Sequence, residues 1–498
     1  MPACAQPQFR NVHPLSWRSW GFRAVAALVV FVLIVRLVWG WLAGRALQAQ
    51  LDQIRARGAP VMLSDLKFEP LADEENAWSL QAQAAAALVR GADSPRNGNE
   101  TWKHDYPPYP GIWMKMAEAS ENARGKAFTL ARQARGRHKA QLRSQPITSP
   151  VSTVPFVPGM SQARWLANTL CDAACLSHVR GDDAQAIDRV LDVLHIAKSL
   201  RTDDTIVAQS VAMGVDALAC NATQTIAPGL RLGADATTRP ATRRQIDELI
   251  ARMLDEEDGW RGMRGSLLAE RVIAGDYIEE KSGATWAIRP LAMQTLTRNA
   301  RSMEGAIQAS GLRNWPAAKA ALARHTWEKP IVEYDFGVAL GLWAGPEPAV
   351  PRYSRWFQVP GGDSFGGYIE RHHRVLAERR VTAVSLATQF YRADNGRWPG
   401  RLDELAPRYL PAVPADPFHD DGRPLGYVVL KGRLPGGADR PLVYFDAGPD
   451  DVEVLAEPMY GWDSGYRGTA PQPRSPVRQY RDLSRFEPPS PKTVDNDP

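Results

Sequence analysis

The chain has 498 residues, 44% of them hydrophobic and 23% charged, with a formal net charge of +5. That length suggests two to four domains with real hydrophobic cores. The small net charge is spread without long runs of one sign, which argues against a nucleic-acid partner.

Residues 1–21 read as a short cytoplasmic tail. Residues 22–43 are a nearly unbroken apolar run, long enough to cross a hydrocarbon core of about 30 Å. Trp17 and Trp20 precede the run, and Trp39 and Trp41 close it. From Trp20 to Trp39 is about 29 Å of helix, the spacing of two interfacial aromatic belts. Arg36 interrupts the run near its end, where its side chain is expected to snorkel to the interface. The sharper alternative is a functional charge within the membrane. The nearest cleavage-like triplet, Gly44-Arg45-Ala46, is a poor one, so an uncleaved anchor is expected. Arg10, Arg18 and Arg23 before the run balance Arg45, Arg55 and Arg57 after it. Orientation therefore rests on the short tail and long body, which fit a cytoplasmic N-terminus. The lipid bilayer is the first expected partner.

The apolar helix is expected to continue to Gly58, with Pro60 just beyond. Residues 44–143 form a helical region, with helices at 76–90 and 113–143 and a Pro/Gly/Asn-rich loop between. Residues 144–160 are proline-rich without helical period and read as a linker. Residues 161–329 are a helical domain. Leu166, Leu170 and Ala173, then Ile187, Val190, Leu191, Leu194 and Ala197, fall at helical spacing around an Arg180-Gly181-Asp182-Asp183 turn, an αα-hairpin. A single tetratricopeptide-like unit is the nearest pattern, and no second copy follows at a fixed period. Further helices are expected near 204–226, 240–257, 260–280 and 290–310. The Gly/Pro-rich connection 330–368 separates this region from a helix at 369–394 and short strands after it. Residues 458–498 read as a disordered tail.

Several side-chain groupings could carry chemistry. Cys171 and Cys175 share one helical face and Cys220 lies on a later helix. In an oxidising compartment Cys220 could bridge to one of the pair, and otherwise all three are small core residues. Asp255-Glu256-Glu257-Asp258 ends a helix as either a solvated face or a cation or substrate site. Gly362-Asp363-Ser364-Phe365-Gly366 matches the GxSxG elbow of hydrolases, which would make Ser364 a nucleophile. The upstream helices supply no sheet for such an elbow, and His372, His373 and His419 stand at no spacing that singles out a base. The plain alternative is a glycine turn near a helix start. Glu370 with His373 and Asp192 with His195 are isolated metal-type pairs, short of the set a di-metal bundle needs. No metalloprotease, P-loop or dinucleotide motif is present.

The C-terminal stretch 376–451 carries a more specific pattern. Tyr391, Gly396, Trp398 and Pro399 end an amphipathic helix, Pro414, Asp416 and Pro417 form a turn, and Gly448 and Asp450 lie in a last loop. Gly396 can end the helix left-handed and Pro399 prevents its restart. This stretch resembles the soluble half of type II secretion major pseudopilins. The resemblance implies a long helix packed on a small antiparallel sheet, here a pseudopilin-like module at 369–457. It also implies a calcium-binding final loop, with Asp450 the only acid carried over; Asp446 replaces the family's serine and the glycine-rich acidic stretch is missing. Gly21-Phe22 does not complete a prepilin-peptidase site, since Ala26 stands where the family has glutamate, and more than 300 residues separate anchor and module. Residues around 55–78, with the Gly-Asp hairpin and this module, also resemble a set of uncharacterised bacterial single-pass envelope proteins.

The expected architecture is mainly α: a transmembrane helix, a periplasmic helical domain and a small α/β pseudopilin-like module. The expected role is a non-enzymatic scaffold or interaction protein of the bacterial inner membrane, with other envelope proteins as partners and no cofactor. The alternative is an envelope hydrolase using Ser364 or the acidic run 255–258.

Overall fold

The computed structural model describes residues 15–88, 109, 111–151, 159–232, 238–282, 286, 289–324, 362–430, 439–445 and 481–482. Most of the expected connection 330–368, most of the expected tail 458–498, and Asp446, Gly448 and Asp450 lie outside these residues.

The protein is mainly helical, with one small antiparallel sheet. Helix α1 (Leu15–Ala56) contains the long apolar run. It is long and apolar enough to cross a membrane, and no part of its most apolar stretch is buried in the protein. Helices α2 (Ala77–Ala86) and α3 (Gly111–Arg135) form a hairpin. It packs on the hairpin of α4 (Met160–Val179) and α5 (Asp183–Leu200). Between α4 and α5, Gly181 adopts φ +87°, a conformation that favours glycine. Asp182 then accepts a hydrogen bond from the Gln185 amide at 2.9 Å, starting α5.

Helix α6 (Ile206–Ile226) lies against α4 and α5 and is apolar because it is enclosed. It meets the length and composition of a membrane span, but 61% of that window is buried inside the body. Helices α7 (Arg243–Leu254), α8 (Glu257–Ser282), α9 (Arg289–Ala309) and α10 (Trp315–Arg324) follow. The last long helix, α11 (Gly362–Asn395), ends at Gly396 with φ +67°.

Helix α11 starts earlier than its sequence suggests. Gly362, Gly366 and Gly367 read as a turn because glycine is a poor helix former. Tertiary packing overrides this: Phe365 and Ile369 are fully buried with Trp260, Met263, Met303 and Leu322. The Tyr368 hydroxyl meets Ser266 Oγ at 2.8 Å. Ser364 therefore stands in the first turn of α11.

Further along, α11 is enclosed on nearly every side, and Leu376, Val384, Ala387 and Tyr391 are all buried. One face packs on α6 and α7, and another on the 3-10 turn Leu402–Leu405 and on β2. The hydrophobic core passes without a break from Leu170, Ile187 and Ile246 through Val384 to Leu405, Leu410 and Val443. The segment spaced like a module after α11 thus shares its core with the helices before it. Strand β1 (Gly426–Leu430) pairs antiparallel with β2 (Arg440–Tyr444) from Gly426–Tyr444 to Leu430–Arg440. The two-residue strand β3 (Arg481–Asp482) pairs with Leu442 and Val443. The turn into β1 is held by Asp416, whose amide donates to the Arg423 carbonyl at 2.8 Å and whose carboxylate accepts from the Phe418 amide at 2.9 Å.

A shared core makes a specific demand on unfolding. Leu405 is fully buried, and Leu405→Asp places a charge there at a cost of several kcal/mol. Calorimetry of the full chain in detergent should show the whole helical body melting earlier, in one transition. A separate early transition, with the main transition unmoved, would mean that residues after α11 fold independently.

Candidate functional site: a charged cleft around Arg201, Asp216 and Arg379

The described residues enclose a small polar cleft where α5, α6, α7 and α11 meet. Asp216 of α6 lines it and is 1% exposed. Arg201, at the end of α5, pairs with Asp216 Oδ2, and Arg379 of α11 approaches the same oxygen at 3.5 Å. The other oxygen, Oδ1, has no hydrogen-bond partner among the described residues.

Arg379 reaches further. Its Nη2 donates to the carbonyls of Arg252 at 2.6 Å and Asp255 at 2.7 Å, and its Nε donates to Met253 at 3.1 Å. These are the last carbonyls of α7, which have no partners within the helix, and a cation is favoured at that end. One guanidinium thus caps α7 and faces the buried carboxylate of α6.

Asp255 and Asp258 of the acidic run line this cleft, and Glu256, Glu257 and Asp258 are tied to distant cations. Glu256 holds Arg380 of α11 through two bonds of 2.7 and 2.8 Å. Glu257 meets Arg313 at 3.2 Å and Asp258 meets Lys198 at 3.2 Å. Arg380 also donates to the Ala415 carbonyl at 2.7 Å, linking the run to the turn before β1. The run therefore clamps α5, α8 and α11 together, a role invisible from its neighbours in sequence.

Three of the four residues of the metal-type pairs are held by other partners. Asp192 binds Arg132 at 3.0 Å. Glu370 binds Arg374 at 2.6 Å, one helical turn on. The His373 ring bonds the carbonyls of Ile369 at 2.9 Å and Leu312 at 3.3 Å. His372 is buried with its ring edge-on to Trp260, the centroids 4.5 Å apart. Ser364 lies eight and nine residues before these histidines on the same helix, about 12 Å or more along its axis. His419 sits near Asp416 at 3.9 Å, beyond the far end of α11. Among the described residues, no three His, Cys, Asp or Glu side chains gather as a metal site. Cys171, Cys175 and Cys220 are buried and unbridged, and burial pushes the Cys220 thiol up to about 12.

His195 lines the cleft, and among the described residues one of its ring nitrogens has no hydrogen-bond partner. Burial, together with the cations Arg252, Lys198 and Arg135, lowers it to about 4. The cleft itself measures about 30 Å³. That is room for one or two ordered waters, against several hundred Å³ for a typical small-molecule pocket. Chemically the arrangement is an electrostatic joint: it neutralises charge, caps a helix and fixes four elements. Sequence reasoning missed Arg201, Asp216 and Arg379. Spaced along helices they look like ordinary surface charges, and only the fold brings them together. Comparison with protein-family models, curated proteins and solved structures finds no match for this chain.

The buried imidazole predicts a pH dependence. The unfolded chain protonates His195 near pH 6.5, whereas the folded protein does so only near 4. Stability should therefore fall as pH drops from 6.5 to 4 and be unaffected by this group below that. The loss is on the order of 3 kcal/mol. Glu270, pushed up to about 7 by burial, favours the folded state in the opposite sense over this window, so the comparison is between proteins. Denaturant unfolding of His195→Gln should show a shallower decline between pH 6.5 and 4 than the unaltered protein. Equal slopes would contradict the assignment.

Proposed function

We propose that this protein is a single-pass anchor and scaffold of the bacterial inner membrane, with its body in the periplasm and its partners the bilayer and other envelope proteins. The observation that carries the membrane part is α1. Its outward face from Trp20 to Leu42 is a continuous apolar surface, with Val29, Phe31, Ile34 and Leu37 each more than half exposed. A soluble protein rarely leaves so large an apolar patch in water. The run is bounded by Trp20 at one end and Trp39 and Trp41 at the other, as interfacial belts require.

The scaffold part rests on the resemblance of residues 376–451 to major pseudopilins, proteins of envelope assembly. The order of elements supports it: a long helix closed by Gly396, a short turn of helix at Leu402–Leu405, a proline turn and a β-hairpin. Tyr391, Leu402, Leu405 and Leu410 are buried as that resemblance implies. In this chain the same helix is also the centre of the preceding body, so the module would present its sheet from a larger platform. An electrostatic joint with a water-sized cavity suits rigidity more than turnover.

Alkaline phosphatase fused after residue 100 should be active, since that enzyme matures only outside the cytoplasm. An inactive fusion, paired with an active cytoplasmic reporter at the same point, would reverse the orientation.

A further inference from the structure

The body does not begin where the apolar run ends. It touches α1 two turns earlier. Arg36, in the middle of exposed Leu33, Ile34, Val35, Leu37 and Val38, is sheltered by Trp286. Its guanidinium lies 4.5 Å from the centre of the Trp286 ring and donates to the Trp286 carbonyl. One of its nitrogens lies 2.8 Å from where a Cβ on Gly40 would stand, so the side chain runs one turn towards the end of the apolar run, as snorkelling requires, and meets a partner from the body there.

Helix α9 then follows α1 along the same seam. Pro290 comes within 3.7 Å of where a Cβ on Gly40 would stand, and Met293 within 3.8 Å of that position on Gly44. Two glycines four apart let a second helix approach closely, the device used between helices in membranes. Further on, Arg301 donates to Gln50 at 3.4 Å, and Arg57 pairs with Glu304. Arg271 of α8 closes the clamp, donating to the Pro60 carbonyl at 3.1 Å. Ala43 and Ile54 are buried along this seam.

Depth follows from the helix rise. A hydrocarbon core of about 30 Å takes about 20 residues. If it begins at Trp17 it ends near residue 37, and if at Phe22 it ends near residue 42. Arg36 then lies between about 2 and 9 Å inside the boundary. Its guanidinium, beside Gly40, is at the depth of Gly40, between about 5 Å outside and about 3 Å inside that boundary, and so is the Trp286 ring it touches. Trp286 is 56% exposed, and a tryptophan at that level belongs to the aromatic belt.

We propose that Trp286 and the first turn of α9, with Arg289 and Leu291, rest in the interfacial layer of the bilayer as a second membrane contact beside α1. This rests on the reading of α1 as a membrane-spanning helix. The contact seats the body flat against the leaflet instead of letting it swing from a single helix. Arg36 is held by a tryptophan ring and a backbone carbonyl, which lowers the cost of a charge at that depth.

The test uses the full chain in phosphatidylethanolamine–phosphatidylglycerol vesicles containing nitroxide-labelled lipid. On a Cys4→Ser background, with the buried Cys171, Cys175 and Cys220 unreactive, environment-sensitive fluorophores are placed by Val29→Cys, Trp286→Cys and Arg401→Cys. Arg289→Cys, exposed beside Trp286, repeats the reading if loss of the indole disturbs the local fold. The proposal expects quenching at 29 by nitroxides deep in the chains, quenching at 286 and 289 by nitroxides near the headgroups, and none at 401. Quenching at 29 with none at 286 or 289 overturns the second contact and leaves the anchor intact. No quenching at 29, 286 or 289 overturns the anchor and the contact with it.

Discussion

The body is organised around one buried guanidinium. Arg379 is 6% exposed and sits midway along α11, the helix on which α6, α7, the Leu402–Leu405 turn and β2 all pack. A buried charge is tolerated only if it is paired and fully hydrogen-bonded. Arg379 meets that condition with Asp216 from α6 and three carbonyls from the end of α7. Those partners come from separate helices, so the condition is met only when α6, α7 and α11 are all in place. The carbonyl fork fixes the register of α11 against α7. Arg380 next in sequence extends the arrangement to Glu256 and to the turn before β1.

The second constraint runs along α1. An apolar helix projecting from a body would transmit little orientation through a flexible joint. Here Arg57, Glu304 and Arg271 meet at its root, and α9 lies in the groove left by Gly40 and Gly44. The charge joint and this clamp are connected through α8. It starts in the acidic run at Glu257 and carries Arg271 past its midpoint. Rigidity within the body is thereby continuous with the helix read as its anchor.

Much of the secondary structure was legible because helical periodicity is local. The αα-hairpin at Gly181, the buried face of α11 and its end at Gly396 all follow from spacing and backbone preference. The first turns of α11 were not, because Phe365 and Tyr368 win back in tertiary packing what Gly362, Gly366 and Gly367 lose in propensity. The continuity of the core through α11 was also hidden. Its buried Arg379, Thr382, Ser385 and Thr388 look like a solvent face, yet the three hydroxyl residues are fully enclosed. Thr382 and Thr388 return their hydroxyls to the carbonyls of Glu378 and Val384 one turn back. The acidic run was visible as charge, but its partners Arg380, Arg313 and Lys198 lie 56 to 124 residues away. Gly40 and Gly44 spell a close-approach motif in the sequence, and Pro290 and Met293 of α9 are the side chains that meet the face they open.

The Arg379 joint holds the helical body together, and its contribution is read from unfolding of Arg379→Gln in denaturant. The substitution leaves Asp216 buried with one cation fewer and the end of α7 uncapped. Stability should fall by about 3–5 kcal/mol, the usual cost of breaking a buried charge pair, within a single transition. A loss below about 1 kcal/mol, the scale of a surface ion pair, would contradict it.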